Sequence, residues 1–182
     1  MVDILVDAFE PLDEDNSINF VVKQDKHRLD RMRILMGYLF DKAMHSGEVF
    51  LSDNRASCLL VNYAHKERFT LKGLISTLRL AFKCIGIERV FKVLERQLVI
   101  KRNHPKSDHI RPLIFAVKND FKGGVTAPRL IMEVFEEFKN NTLPIIVDTA
   151  YERNVRLYEK FGLKVVNTEK ALGFPIYLLR MN

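Results

Sequence analysis

Cysteine is scarce in this chain. Cys58 and Cys84 are the only two in 182 residues, and they are too far apart for the short Cys-x-x-Cys spacing of a metal site. Two cysteines also cannot build a disulfide framework, so both are expected as packing residues in a reducing cytoplasm. Long apolar runs are missing as well. None approaches the ~20 residues that a membrane span needs, so no membrane partner is expected. The N-terminal stretch MVDILVDAFE is acidic and lacks the basic start and small-residue cleavage site of a signal peptide. No internal repeat or low-complexity segment is visible, and no composition break marks a linker. No zinc-finger spacing, RNP motif or helix-turn-helix is present, which leaves a nucleic-acid partner without a motif. Two nucleotide motifs are missing too: GxxxxGK[ST] and GxGxxG.

What is present describes one domain, residues 1–182, long enough to bury a core, with 47% hydrophobic and 29% charged residues. The net charge of +6 is unevenly placed. From His65 to Lys106 there are eleven Lys or Arg against three Glu, a local excess of eight. Such a stretch is either the solvated face of two helices or a surface for an anion: nucleic acid, an acidic substrate or a phosphate group. Helical spacing is read over Val2 to Phe9, Arg28 to Met44, Phe69 to Cys84 with Thr70 as cap, and Ile87 to Ile100. Glu48 to Ser52 and Ser57 to Tyr63 read as strands around the turn Asp53-Asn54-Arg55. Strands then follow at Leu113 to Val117, Leu143 to Val147, Leu163 to Val166 and Pro175 to Leu179. Helices and strands mixed along one chain argue for an α/β or α+β fold.

The segment from Leu113 to Gly162 carries the chemistry. An apolar strand feeds a turn with Gly123-Gly124, and that turn opens into an amphipathic helix with Pro128 at its first position. Free backbone N–H groups and the helix dipole would then point at one spot, which suits a phosphate, with Lys122 as a nearby charge. Two glycines before a helix are also an ordinary strand-to-helix connection. Downstream, Asn154 and Tyr158 lie four residues apart and share a helix face.

These residues resemble the GNAT superfamily of acyl-CoA N-acyltransferases. LIFAVKNDFKGGVTAPRLIMEVFEEF is similar to the family's motif A. Lys122 falls where Gln or Arg is usual, Gly123 at the following Gly, Val125 at the motif glycine and Ala127 at the final Gly or Ala. PIIVDTAYERNVRLYEKFGLKVV is similar to motif B, with Asp148-Thr149, Asn154, Tyr158, Lys160, Gly162 and Leu163 in its places. His104-Pro105 and His109 resemble an upstream element of one branch. The resemblance covers roughly the whole chain, and Lys122 and Val125 are its departures.

The resemblance implies a GNAT fold: a central mixed, mostly antiparallel β-sheet flanked by helices, here without the first strand. Residues 1–112 would supply N-terminal helices, a hairpin and acceptor-side helices, and 113–182 the CoA-binding half. Acetyl-CoA would be the cofactor, and no metal is implied. Phe115, Ala116 and Val117 would pair with the pantetheine amides. The N–H groups of Gly123, Gly124, Val125, Thr126 and Ala127 would hold the pyrophosphate beside Lys122. Asn154 would bond near the pantetheine arm, and Tyr158 would protonate the departing thiolate. A phenol with a pKa of ~10 stays protonated at pH 7 and suits that role. Asp148 and His109 are the candidate bases, each with an ordinary structural role as the alternative. The acceptor would be a small-molecule or peptide amine, of acidic character if the basic segment shapes its site. A homodimer is common in the family. The alternative function is a catalytically weak or inactive GNAT-like module that binds CoA or another ligand.

Overall fold

The computed structural model describes residues 1–170 and 174–181. The chain opens with three helices: α1 (Val2–Phe9), α2 (Ser17–Val21) and α3 (Arg28–Ser46). Asn16 caps α2, its Oδ1 accepting from the N–H groups of Ile18 at 2.8 Å and Asn19 at 2.9 Å. The apolar residues 18–21 are thereby held in helix, and Val22 after them is extended. In α3, Met32, Leu35, Met36 and Ala43 recur at helical spacing and are buried against the sheet.

Strands β1 (Gly47–Leu51) and β2 (Ser57–Tyr63) form the expected hairpin. Gly47 ends α3 where β1 begins. Its backbone is extended, and a Cβ there would lie 1.8 Å from the Val61 carbonyl oxygen. Next come α4 (Leu71–Arg79), a π-helical turn over Leu80–Ile85, and α5 (Val90–Asn103). Thr70 caps α4 by accepting from Gly73 N–H at 3.0 Å, and Gly86 breaks the run with φ +83°. The exposed face of this basic pair is apolar as well as charged: Phe69 and Phe91 are both more than four-fifths exposed.

The remaining elements are β3 (Ile110–Val117), α6 (Thr126–Glu137), β4 (Ile145–Thr149), α7 (Glu152–Lys160), β5 (Lys164–Glu169) and β6 (Ile176–Met181). Strand β3 begins three residues before the expected Leu113 and runs through Pro112. The proline is tolerated because the ladder to β2 slips there: Val61 pairs with Pro112 and Leu60 with Ile114. Strand β4 starts at Ile145 rather than Leu143, because Asn141 closes a turn on Leu143 through two hydrogen bonds. Pro128 is the third helical residue rather than the first, still within the turn whose N–H groups lack helical acceptors.

The six strands are ordered β1-β2-β3-β4-β6-β5, and every neighbouring pair is antiparallel except β3 with β4. This is the expected mixed, mostly antiparallel sheet. No strand precedes Gly47 among the described residues. One core lies between α1, α3 and the sheet, with Leu5, Met36, Leu60 and Ala116. The other packs α6 and α7 on the opposite face, around Val61, Ile110, Val147, Val155 and Leu179. Cys58 and Cys84 are both buried in the first core, and burial pushes their thiols up to about 11 and about 12. Among the described residues no helix is long and apolar enough to cross a membrane.

Candidate active site

Strands β3 and β4 pair at a single position, Ile110 with Ile145, where Ile110 N–H donates to the Pro144 carbonyl at 2.9 Å. Beyond it the strands part. β3 stays paired with β2 through Val117, and β4 stays paired with β6 through Thr149. Alternate residues of β3 therefore turn their backbone N–H and C=O groups into the gap, with no strand to receive them. This splay opens a cavity of about 640 Å³.

The cavity gathers several of the expected residues. Phe115, Ala116 and Val117 line it from β3, Asp148 from β4, and Asn154 and Tyr158 from α7. Asn154 and Tyr158, four residues apart on α7, face the cleft together, and Gly162, with φ +88°, turns the chain after α7 before β5 runs back along β6. Asn154 Nδ2 donates to Thr149 Oγ1 at 3.3 Å, and that oxygen also accepts from Tyr151 N–H at 3.2 Å. The side chain is thus tied to the end of β4. Burial, and secondly the Asp148 charge, raise the Tyr158 phenol above its ordinary value. Its proton is held at neutral pH.

The glycine turn sits at the cleft's rim. Lys122 lines the cavity, while Gly123, Gly124, Val125, Thr126 and Ala127 do not. Gly123 has φ +78°, a left-handed conformation suited to glycine, and no atom lies within 4 Å of where its Cβ would be. Val125 has an ordinary helical backbone and projects its side chain into solvent. Gly124 N–H donates to Phe121 O at 3.3 Å. Among the described residues the N–H groups of Val125, Thr126 and Ala127 meet no acceptor within the chain. Three free N–H groups at the start of a twelve-residue helix match the donor set that a pyrophosphate needs. Lys122 Nζ reaches back to Ala8 O at 3.5 Å, and so ties the turn to α1.

Neither candidate base is free. Asp148 accepts from Arg111 Nη2 at 2.8 Å and lies 4.0 Å from His104 Nε2. Burial works to raise its carboxyl, but Arg111, with Arg96 and His104 behind it, outweighs that and holds it below the usual carboxylate range. His109 does not line the cavity. It is buried, with Nδ1 2.8 Å from Ser107 O and its ring edge-on to His104. Asp148 is an ion-pair partner of Arg111 that lines the cavity, and His109 packs on His104 outside it.

Other groups escape sequence reasoning. Phe9 of α1 and Asn16, Ser17 and Ile18 at the start of α2 close one side of the cleft. Arg96, read only as part of a basic run, is 3% exposed and donates through Nη2 to Ser17 Oγ. Its position in α5, at helical spacing from buried Val93 and Ile100, was the available signal for an inward-facing arginine.

No family model matches the chain, and no curated protein matches it in sequence. Solved structures do match in fold. One is a histone acetyltransferase HPA2 and related acetyltransferase from Corynebacterium glutamicum: 17% identity, 98% of this chain, 87% of that one, TM-score 0.68. A mosquito arylalkylamine N-acetyltransferase-like protein matches at 18% identity, over 99% of this chain and 92% of its own, with a TM-score of 0.55. A GNAT-family protein from Desulfovibrio desulfuricans matches at 12% identity, over 100% and 91%, with a TM-score of 0.54. At these identities the likeness is one of fold, and it spans the chain from end to end.

Proposed function

We propose that this chain, built on the GNAT fold, is an N-acyltransferase that moves an acetyl group from acetyl-CoA directly to an amine. The observation that carries the reading is the parting of β3 from β4, with Tyr158 lining the cleft and the unpaired N–H groups of Val125, Thr126 and Ala127 at its rim. Acetyl-CoA, when bound, supplies a thioester carbonyl for the amine to attack. The three N–H groups and Lys122 would hold its phosphates, and the open edge of β3 over Phe115, Ala116 and Val117 would meet its pantetheine amides. Asn154, fixed on Thr149, orients the arm.

Tyr158 is the proton donor in this reading, delivering the phenolic hydrogen to the leaving sulfur. Its raised pKa keeps it protonated across neutral pH. With Asp148 paired to Arg111, the attacking amine loses its proton to water in the cleft rather than to a dedicated carboxylate. The acceptor is a small-molecule or peptide amine, a reading supported by the arylalkylamine neighbour.

That pairing of Asp148 also favours a second reading, a binding module with little catalytic power. Calorimetry with acetyl-CoA, followed by thiol release over a panel of amines, separates the two. Heat with acetyl-CoA and thiol release with an amine support the enzyme. Heat alone supports the module. No heat and no thermal shift at millimolar CoA would sink the enzyme reading.

A further inference from the structure

Two helices read from their apolar spacing keep that spacing in solvent. On α4, Leu71, Leu74, Ile75 and Leu78 fall at i, i+3, i+4 and i+7, one helix face, and Phe82 follows on the π-helical turn. All five are exposed, and α4 has no buried residue. On α5, Phe91, Leu94 and Leu98 form a second exposed stripe, with Ile87 just before it, while Val93, Arg96 and Ile100 turn inward. Phe69, Phe82 and Phe91 are 84%, 59% and 83% exposed. At roughly 200 Å² for a phenylalanine, these three alone leave about 450 Å² in water, the size of the largest apolar patch on an ordinary monomer. A nine-residue helix is also too short to hold itself together in water, so covering its apolar face would stabilise α4.

Charge decides what covers it. Lys72, Arg79 and Lys83 follow at i, i+7 and i+11 along one flank of the α4 stripe, and Lys92, Lys101 and Arg102 are exposed on α5. None of these is ion-paired among the described residues. The acidic groups around them do not restore the balance. Arg79 shares a hollow with Asp30 and Asp41 of α3, which leaves Lys72 and Lys83 as the uncompensated charges of α4. Glu67 is engaged by Lys42 at 2.8 Å and Glu88 by Lys23, and Glu95 is the one carboxylate on α5. A second copy of this chain would set like charge against like. A partner helix would dock in a groove, yet none of the stripe residues lines the cleft or the hollow between α3 and α4. An outward apolar stripe edged by lysine is what a helix lying in a membrane interface presents to anionic headgroups.

We infer that α4, with the outer face of α5, rests on an anionic lipid surface. Leu71, Ile75 and Leu78 enter the boundary between headgroups and acyl chains, and Lys72, Lys83 and Lys92 meet the lipid phosphates. A helix lying on a membrane needs no spanning length, so the expectation of no membrane partner, drawn from span length, does not reach this surface. The inference stands apart from the acyl-transfer reading.

The test is flotation of the whole chain with vesicles of phosphatidylcholine alone, or with about a quarter phosphatidylserine. Binding to the anionic vesicles is expected to be at least about tenfold tighter, since each Lys or Arg near such a surface contributes several-fold. It should weaken as added salt screens the charges. Ile75→Gln with Phe91→Gln should lower binding to anionic vesicles about tenfold. Lys72→Glu with Lys83→Glu should remove the preference for them. All four side chains are exposed, so melting temperatures should hardly move. Absent binding by the wild type, or equal binding to both vesicles, overturns the inference whether or not any variant folds. Undiminished binding by the Gln pair, or an undiminished preference in the Glu pair, overturns it too. Sedimentation as a dimer that the Gln pair dissolves would assign the face to a second copy instead. Binding of an amphipathic Leu-Glu peptide with the vesicles ignored would assign it to a protein partner.

Discussion

Arg111 on β3 donates to Asp148 on β4 at 2.8 Å, bridging the two strands just past the one position where they pair. The bond does for the diverging strands what a ladder no longer can. It also fixes the charge state of the cleft floor, since Arg111 keeps Asp148 ionised against the pull of burial.

Asp148→Asn should therefore be markedly destabilising at neutral pH. It leaves the half-buried Arg111 without its counter-charge, a loss of about 2–3 kcal/mol, short of the ~3–5 kcal/mol of a fully buried pair. The sign with pH follows from the lowered carboxyl. The stabilisation is fully present above the unfolded value of ~3.9 and is lost as pH falls through the folded value. Urea melts of wild type and variant should thus differ most at pH 7 and converge in strong acid. An equal gap at pH 7 and pH 2 would contradict the assignment.

Tyr158→Phe keeps the ring and removes the proton. Acetyl-CoA affinity and melting temperature should hardly change, while kcat falls by about 10². Steady-state kinetics beside calorimetry reads both, and an unchanged kcat would take Tyr158 out of the mechanism.

Much of this site could be read from the order of residues, because its parts are local. Asn154 and Tyr158 share a face by helical spacing alone, and Gly162 and Gly86 mark chain reversals by their backbone freedom. The mixed, mostly antiparallel sheet came from the resemblance, and the structure bears it out. What stayed hidden depends on contacts between distant segments. The pairing of Asp148 with Arg111 joins residues 37 apart in sequence, and the burial of Arg96 depends on α2 folding over α5. Pro112 hid the start of β3, since only the bulge opposite it makes a proline tolerable in that strand.

Two glycines should respond to Ala in opposite ways. At Gly47 the new Cβ meets the Val61 carbonyl oxygen at 1.8 Å, so the β1–β2 ladder must move apart. A loss of about 3 kcal/mol or more is expected in chemical denaturation, in the range of severe backbone clashes. At Gly123 there is space, and only φ +78° opposes the side chain, a cost of about 1 kcal/mol. There the expected effect is on function: weaker acetyl-CoA binding with a nearly normal melt. Normal binding by Gly123→Ala would remove the turn from the phosphate site.

His104 gives the fold a separate dependence on pH. Burial first, and then the Arg111 charge, depress its imidazole to about 4 against an ordinary 6.5. Between those values the unfolded chain takes up a proton that the folded chain refuses. Stability should therefore fall as pH drops through this window, by about 1.4 kcal/mol per pH unit at most. This window lies above the one for Asp148, so the two groups can be told apart by titration. In His104→Asn the slope between pH 6.5 and 4 should flatten while the loss below pH 4 remains. Denaturation midpoints measured at half-unit steps check both limbs, and a slope unchanged in the variant would show that His104 does not carry it.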